Sequence, residues 1–126
     1  MTDPSAQTVL IVEDTLEVAN LIQITLRKLG VNLHHASNGP DALAFIAQQV
    51  PDLILLDIGM PGMDGWDFLD RLHKQTDAQI PIVVLTAYTD SGNRQTGELM
   101  QVDAFLAKPV IPAKLREVVT DKLGLN

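Results

Sequence analysis

The feature that most restricts the fold is an alternation of short, unbroken aliphatic runs with longer stretches of helical period. Val9-Leu10-Ile11-Val12, Leu53-Ile54-Leu55-Leu56 and Ile82-Val83-Val84-Leu85 are continuous apolar runs of strand length, as expected of strands buried on both faces. Two weaker segments, residues 31–36 and 104–107, complete five. Strands alternating with helices imply a parallel sheet covered on both sides. The expected architecture is therefore α/β, a single (βα)₅ three-layer sandwich.

Between the runs, Val18, Leu21, Ile22, Thr25, Leu26 and Leu29 recur at helical spacing and stop at Gly30, a residue suited to the left-handed conformation that ends helices. Pro40 suits the first turn of a second helix with the stripe Leu43, Ile46, Ala47 and Val50, ended by Pro51. Phe68, Leu69 and Leu72 mark a third. Leu115, Val118 and Val119 mark a last one, opening at Pro112 and ending before Gly124. A fourth helix belongs at residues 90–101, where Gly92 and Gly97 each cost about 1 kcal/mol relative to Ala. It is expected to be the least stable, and a plausible moving part.

The 126 residues are read as one domain over 8–124, after a flexible tail of residues 1–7. The absence of cysteine excludes disulfides, thiolate metal sites and cysteine nucleophiles. Sixteen acidic against nine basic residues give a net charge of −7, which repels nucleic-acid phosphates. No direct nucleic-acid contact is expected. No apolar stretch approaches the ~20 residues of a membrane span, and the N-terminus lacks the features of a secretory signal. The expected location is the cytoplasm, and the Met1-Thr2-Asp3 start reads as a natural N-terminus.

In a parallel sheet of this kind, ligands bind beyond the carboxyl ends of the strands. There stand Glu13-Asp14 after the first run, Asp57 after the third, Thr86 after the fourth and Lys108-Pro109 after the fifth. Three carboxylates in one cavity repel, by about 4 kcal/mol for a pair ~4 Å apart at an effective dielectric of 20. A hard divalent cation would relieve them, Mg²⁺ by preference with Mn²⁺ as an alternative, and Lys108 would add a monovalent counter-charge. A carboxylate in that setting can act as an in-line nucleophile toward phosphorus. The loop Gly59-Met60-Pro61-Gly62-Met63-Asp64-Gly65 permits sharp turns and close backbone approach.

Taken together and in this order, these residues resemble the receiver domain of response regulators, the CheY-like family of two-component signal transduction. The resemblance rests on Glu13-Asp14, on Asp57 with Met60-Pro61-Gly62-Met63-Asp64-Gly65 behind it, on Thr86-Ala87, and on Phe105 three residues before Lys108-Pro109. It implies a flavodoxin-like sheet of order 2-1-3-4-5. It further implies Asp57 as phosphoacceptor, with Asp14, Asp57 and the Gly59 carbonyl as Mg²⁺ ligands and Glu13 acting mainly through metal-bound water. Lys108 would pair with a phosphoryl oxygen, beside the Thr86-Ala87 segment. Thr86 and Phe105 would form the switch, and the Lys108-Pro109 bond would be cis. Gly59 and Tyr88 occupy positions that tune phosphoryl lifetime in the family. Phe105 stands where many members have Tyr, so no hydroxyl could report the switched state there.

The implied partners are a histidine kinase or histidine phosphotransfer protein and a downstream protein. The chain is expected to be a monomer, or a dimer that forms on phosphorylation. It is not read as an enzyme beyond turnover of its own Asp57. Two other functions compete. One is a pseudo-receiver that binds partners constitutively. The other is a phosphatase of the haloacid-dehalogenase type, disfavoured because Gly59 stands where that chemistry needs an acid.

Other residues have simpler readings. His34 and His35 are strand neighbours on opposite faces and cannot chelate one ion. His73 belongs on the solvent side of its helix. Trp66 and Phe68 are packing residues, Met60 and Met63 anchor the loop, and Asp64 caps the turn into the third helix.

Overall fold

The computed structural model describes residues 5–87, 96–97 and 101–125. The order of elements is β1 (Thr8–Val12), α1 (Leu16–Leu26), β2 (Asn32–Ala36), α2 (Gly39–Gln48), β3 (Leu53–Asp57), α3 (Gly65–Gln75), β4 (Ile82–Thr86), β5 (Ala104–Ala107) and a C-terminal helix (Pro112–Leu123). The five strands form one sheet in the order β2-β1-β3-β4-β5, every pairing parallel. This is the flavodoxin-like arrangement of CheY-like domains.

Period-two alternation divides the aliphatic runs between two cores. Leu10, Val12, Ile54, Leu56, Ile82 and Val84 pack with α2 and α3. Val9, Ile11, Leu53, Leu55, Val83 and Leu85 pack with α1 and the C-terminal helix. The central strands are buried on both faces, each such side chain contributing roughly 1.5–3 kcal/mol of transfer free energy.

The helix boundaries follow local chemistry. Asn38 caps α2, its side chain accepting from the amide of Asp41, with proline in the first turn. Asp64 caps α3 by accepting from the amide of Asp67. A 3₁₀ turn, Arg27–Leu29, closes α1 at Gly30, whose φ is 72°. Gly124, at φ 70°, does the same for the C-terminal helix.

Two expected stripes need correction. In α2, Ala42 and Ile46 are buried while Ala47 is exposed. Val50 lies past the helix end and is also exposed, because a residue preceding proline is driven into extended backbone. In α1, Ala19 takes the inward position and Leu21 turns outward. Val31 precedes β2 rather than opening it. Of the expected fourth helix, Thr96 and Gly97 are helical; residues 90–95 and 98–100 lie outside the described residues. No helix among the described residues is long and apolar enough to cross a membrane.

Candidate functional site

Parallel register brings the carboxyl ends of the strands to one edge. Val12 pairs with both Ala36 and Leu56, Asp57 with Leu85, and Thr86 with Ala107. Glu13, Asp57 and Lys108 therefore leave the sheet at the same edge. One oxygen each from Glu13, Asp14 and Asp57 lie within 4.8 Å of one another.

Lys108 spans the two buried carboxylates. Its Nζ donates to Glu13 Oε1 at 3.2 Å and lies 3.2 Å from Glu13 Oε2 and 3.3 Å from Asp57 Oδ1. The amide of Gly59 donates to Asp57 Oδ1 at 3.0 Å, and that of Thr15 to Glu13 Oε1 at 3.3 Å. Glu13 Oε2 is buried and, although within ion-pair reach of Lys108, has no hydrogen bond of acceptable geometry.

The charges perturb one another in consistent directions. Burial, and then the charge of Asp57, push Glu13 above the usual carboxylate range, with Lys108 opposing. Asp14 is exposed, yet partial desolvation of its carboxyl raises it too, reinforced by its contact with and the charge of Asp57. Burial alone would lower Lys108, but the Glu13 and Asp57 carboxylates outweigh it and hold the ammonium more firmly protonated.

Three carboxylates thus face one ammonium, and a buried carboxylate oxygen lacks a hydrogen bond. An all-oxygen set with excess negative charge suits a hard divalent cation such as Mg²⁺. Asp14, Asp57 and Glu13 are the side chains that would hold it.

The remaining expected residues fall around this cluster. Thr86 is buried at the end of β4, and its carbonyl accepts from the Lys108 amide at 2.9 Å. Ala87 and Gly59 are exposed at the rim. Phe105 is half-buried against the α2/α3 core, its ring seated where a Cβ on Gly97 would otherwise stand. Tyr88 lies outside the described residues. The Lys108-Pro109 peptide is cis. Met60 and Met63 anchor the loop in the same core, joined by Trp66. His73 is exposed on α3.

Two residues named in the sequence take a more specific part than was read there. Gly65 opens α3 so close to the end of β3 that a Cβ would stand 2.8 Å from Ile58 Cα and 3.0 Å from the Asp57 carbonyl. The other is His35, whose Nε2 lies 2.7 Å from the Glu13 carbonyl. The alternation along β2 did separate the two histidines as expected. His34 stacks on Phe45 with ring centroids 4.0 Å apart, while His35 reaches the β1 end.

Residues 9–120 match the response regulator receiver domain family. Among relatives, the chain is 35% identical over 124 residues to the DNA-binding response regulator MtrA of Mycobacterium bovis, covering 98% of this chain and 54% of that one. It is 31% identical over 124 residues to the probable transcriptional regulator ycf27 of Porphyridium aerugineum, covering 94% and 51%. The chain thus spans about half the length of these curated relatives. Among solved structures, the chemotaxis protein CheY4 of Vibrio cholerae superimposes with a TM-score of 0.86 at 29% identity, over 94% of this chain and all of that one. A putative response regulator from Chloroflexus aurantiacus gives 0.86 at 32% identity, over 95% and 99%. With its five-stranded parallel sheet and its acidic cluster beside a lysine at the strand ends, this chain belongs to the response regulator receiver domain family of two-component signalling.

Proposed function

We propose that the domain is a Mg²⁺-dependent phosphoacceptor whose Asp57 takes a phosphoryl group from a phosphohistidine on a histidine kinase or phosphotransfer protein. The observation that carries this reading is the placement of Asp57 within one cluster with Glu13, Asp14 and the Lys108 ammonium. In the transfer, a carboxylate oxygen of Asp57 forms the new bond to phosphorus as the phosphorus–nitrogen bond breaks. The electron pair leaves with the imidazole nitrogen, so no general base on this chain is required. A bound divalent cation supplies charge neutralisation for the phosphoryl oxygens. Lys108 holds the acceptor and then pairs with a phosphoryl oxygen, while Thr86 turns to donate to another.

The movement of Thr86 opens room for the Phe105 ring, and the surface formed by β5, the C-terminal helix and the fourth helix expected from the sequence changes for a protein partner. Water returns the phosphoryl group as phosphate, so turnover is confined to the domain's own Asp57. The net charge of −7 favours output through protein contact over direct nucleic-acid contact by these residues. We place this chemistry in the cytoplasm.

The test is intact mass after incubation with Mg²⁺ and acetyl phosphate. A gain of one phosphoryl group is expected, lost in Asp57→Asn and on adding EDTA. Absence of any gain from acetyl phosphate and from a phosphorylated histidine phosphotransfer protein would favour a constitutive interaction module.

A further inference from the structure

The acidic pair follows directly on β1, and the way the chain is held there determines where both carboxylates point. The amide of Glu13 continues the backbone pairing with β2, donating to the Ala36 carbonyl at 3.1 Å. Beyond Ala36 the partner strand ends and the chain turns into the Asn38 cap of α2. The Glu13 carbonyl instead faces the His35 ring, 2.7 Å from Nε2. A carbonyl can only accept, so Nε2 carries the proton and donates.

That contact reaches the metal-binding groups through one rigid unit. The atoms from Glu13 Cα through its carbonyl to Asp14 Cα lie in one peptide plane. Fixing the Glu13 oxygen therefore fixes the rotation of the plane from which Asp14 departs. Asp14 is exposed, so its placement depends strongly on its backbone. On the α1 side the loop is tied by Thr15, whose amide donates to Glu13 Oε1 and whose carbonyl accepts from the Ala19 amide at 3.0 Å, so the Asp14 peptide itself is held from the β2 side by His35. His35 is itself held in register, paired with Ile11 in the β1–β2 ladder, with its neighbour His34 stacked on Phe45 on the other face.

We propose that His35 is a positioning residue for the cation site: its Nε2–H holds the Glu13 carbonyl and thereby aims Glu13 and Asp14 at a shared divalent ion. The inference rests on the reading of Glu13, Asp14 and Asp57 as Mg²⁺ ligands. It assigns His35 no contact with metal or phosphoryl group. Groups that orient metal ligands typically govern 10–100-fold in affinity, and His35 acts through a backbone carbonyl, so the lower end applies.

The experiment is calorimetric titration of the full chain with Mg²⁺ alone at neutral pH, for wild type, His35→Leu and His35→Gln. Urea unfolding without metal is run in parallel. Leu keeps the apolar bulk and removes the donor, whereas Gln places an amide nitrogen near the Nε2 position. The expected result is Mg²⁺ affinity about tenfold weaker in His35→Leu and largely restored in His35→Gln, whatever the two variants do to urea stability. Equal affinity in all three proteins, or equal weakening in both variants, would overturn the positioning role while leaving the cation site intact. Wild-type protein that binds no Mg²⁺ would overturn the cation site itself, and the role of His35 with it.

Discussion

Lys108 stands between Glu13 and Asp57, and its charge is the weakest of the influences on Asp14. Without a cation, then, each carboxylate is held near others at a cost, and Asp14 is the one that can be neutralised without stripping Lys108 of a partner. Asp14→Asn is expected to raise the stability of the metal-free domain by about 1 kcal/mol, the Coulomb energy of two unit charges ~4 Å apart in water. The same change is expected to abolish the stabilisation conferred by Mg²⁺. Urea unfolding with and without Mg²⁺ checks both halves, and a variant less stable than wild type without metal would contradict the repulsion. At this scale the sequence was informative wherever a residue's place follows from strand polarity. Asp57, Thr86 and Lys108 end or follow apolar runs, so a parallel sheet sends them to one edge. His35 was not legible because its role depends on a ring rotamer and one carbonyl direction, and β-strand alternation states only which face it takes.

Among the elements, α3 shows how backbone proximity constrains a site. It begins at Gly65, against Ile58 Cα and the Asp57 carbonyl, with Asp64 as its cap. The three atoms nearest a Gly65 Cβ are all backbone atoms, which cannot swing aside. Gly65→Ala is expected to cost about 1–3 kcal/mol, the range for overpacking, and to displace the end of β3 at Asp57 and the loop that carries Gly59. Urea unfolding measures the first effect and weakened Mg²⁺ binding the second; unchanged stability would show that the loop yields freely. The elements most visible in the sequence are the strands, because continuous aliphatic runs admit few alternatives once both faces are buried. Helix stripes were less legible. Val50 is apolar and in phase with Ile46, but Pro51 ends the helix first, and Ala19 buries a face that larger residues seemed to own.

The whole molecule sets a rigid frame against a repulsive edge. The two aliphatic cores on opposite faces of the sheet fix the strand ends, so the buried Glu13 and Asp57 carboxylates cannot separate without disrupting packing. Proton and metal therefore compete to relieve the same charge. Glu13 and Asp14 bind protons more tightly folded than unfolded, their pKa values lying above the ordinary 4.5 and 3.8. Where the folded state holds more protons, stability rises as pH falls. Their contribution to the metal-free domain is thus unfavourable at neutral pH and is relieved on acidification through the raised values toward 4.5 and 3.8. Lys108 acts in another window: its pKa is raised, so its stabilising contribution is complete below 10.5 and fades as pH climbs past the raised value. A cation that binds only the folded, ionised cluster adds stability by mass action, and protons on Glu13 and Asp14 remove its ligands. The rise in melting temperature produced by saturating Mg²⁺ at neutral pH is therefore expected to shrink steadily as pH is lowered into the carboxylate range. Paired melts with Mg²⁺ and with EDTA across that range isolate this increment from every group the metal does not touch. An increment independent of pH would mean that the bound ion draws on groups other than this acidic cluster.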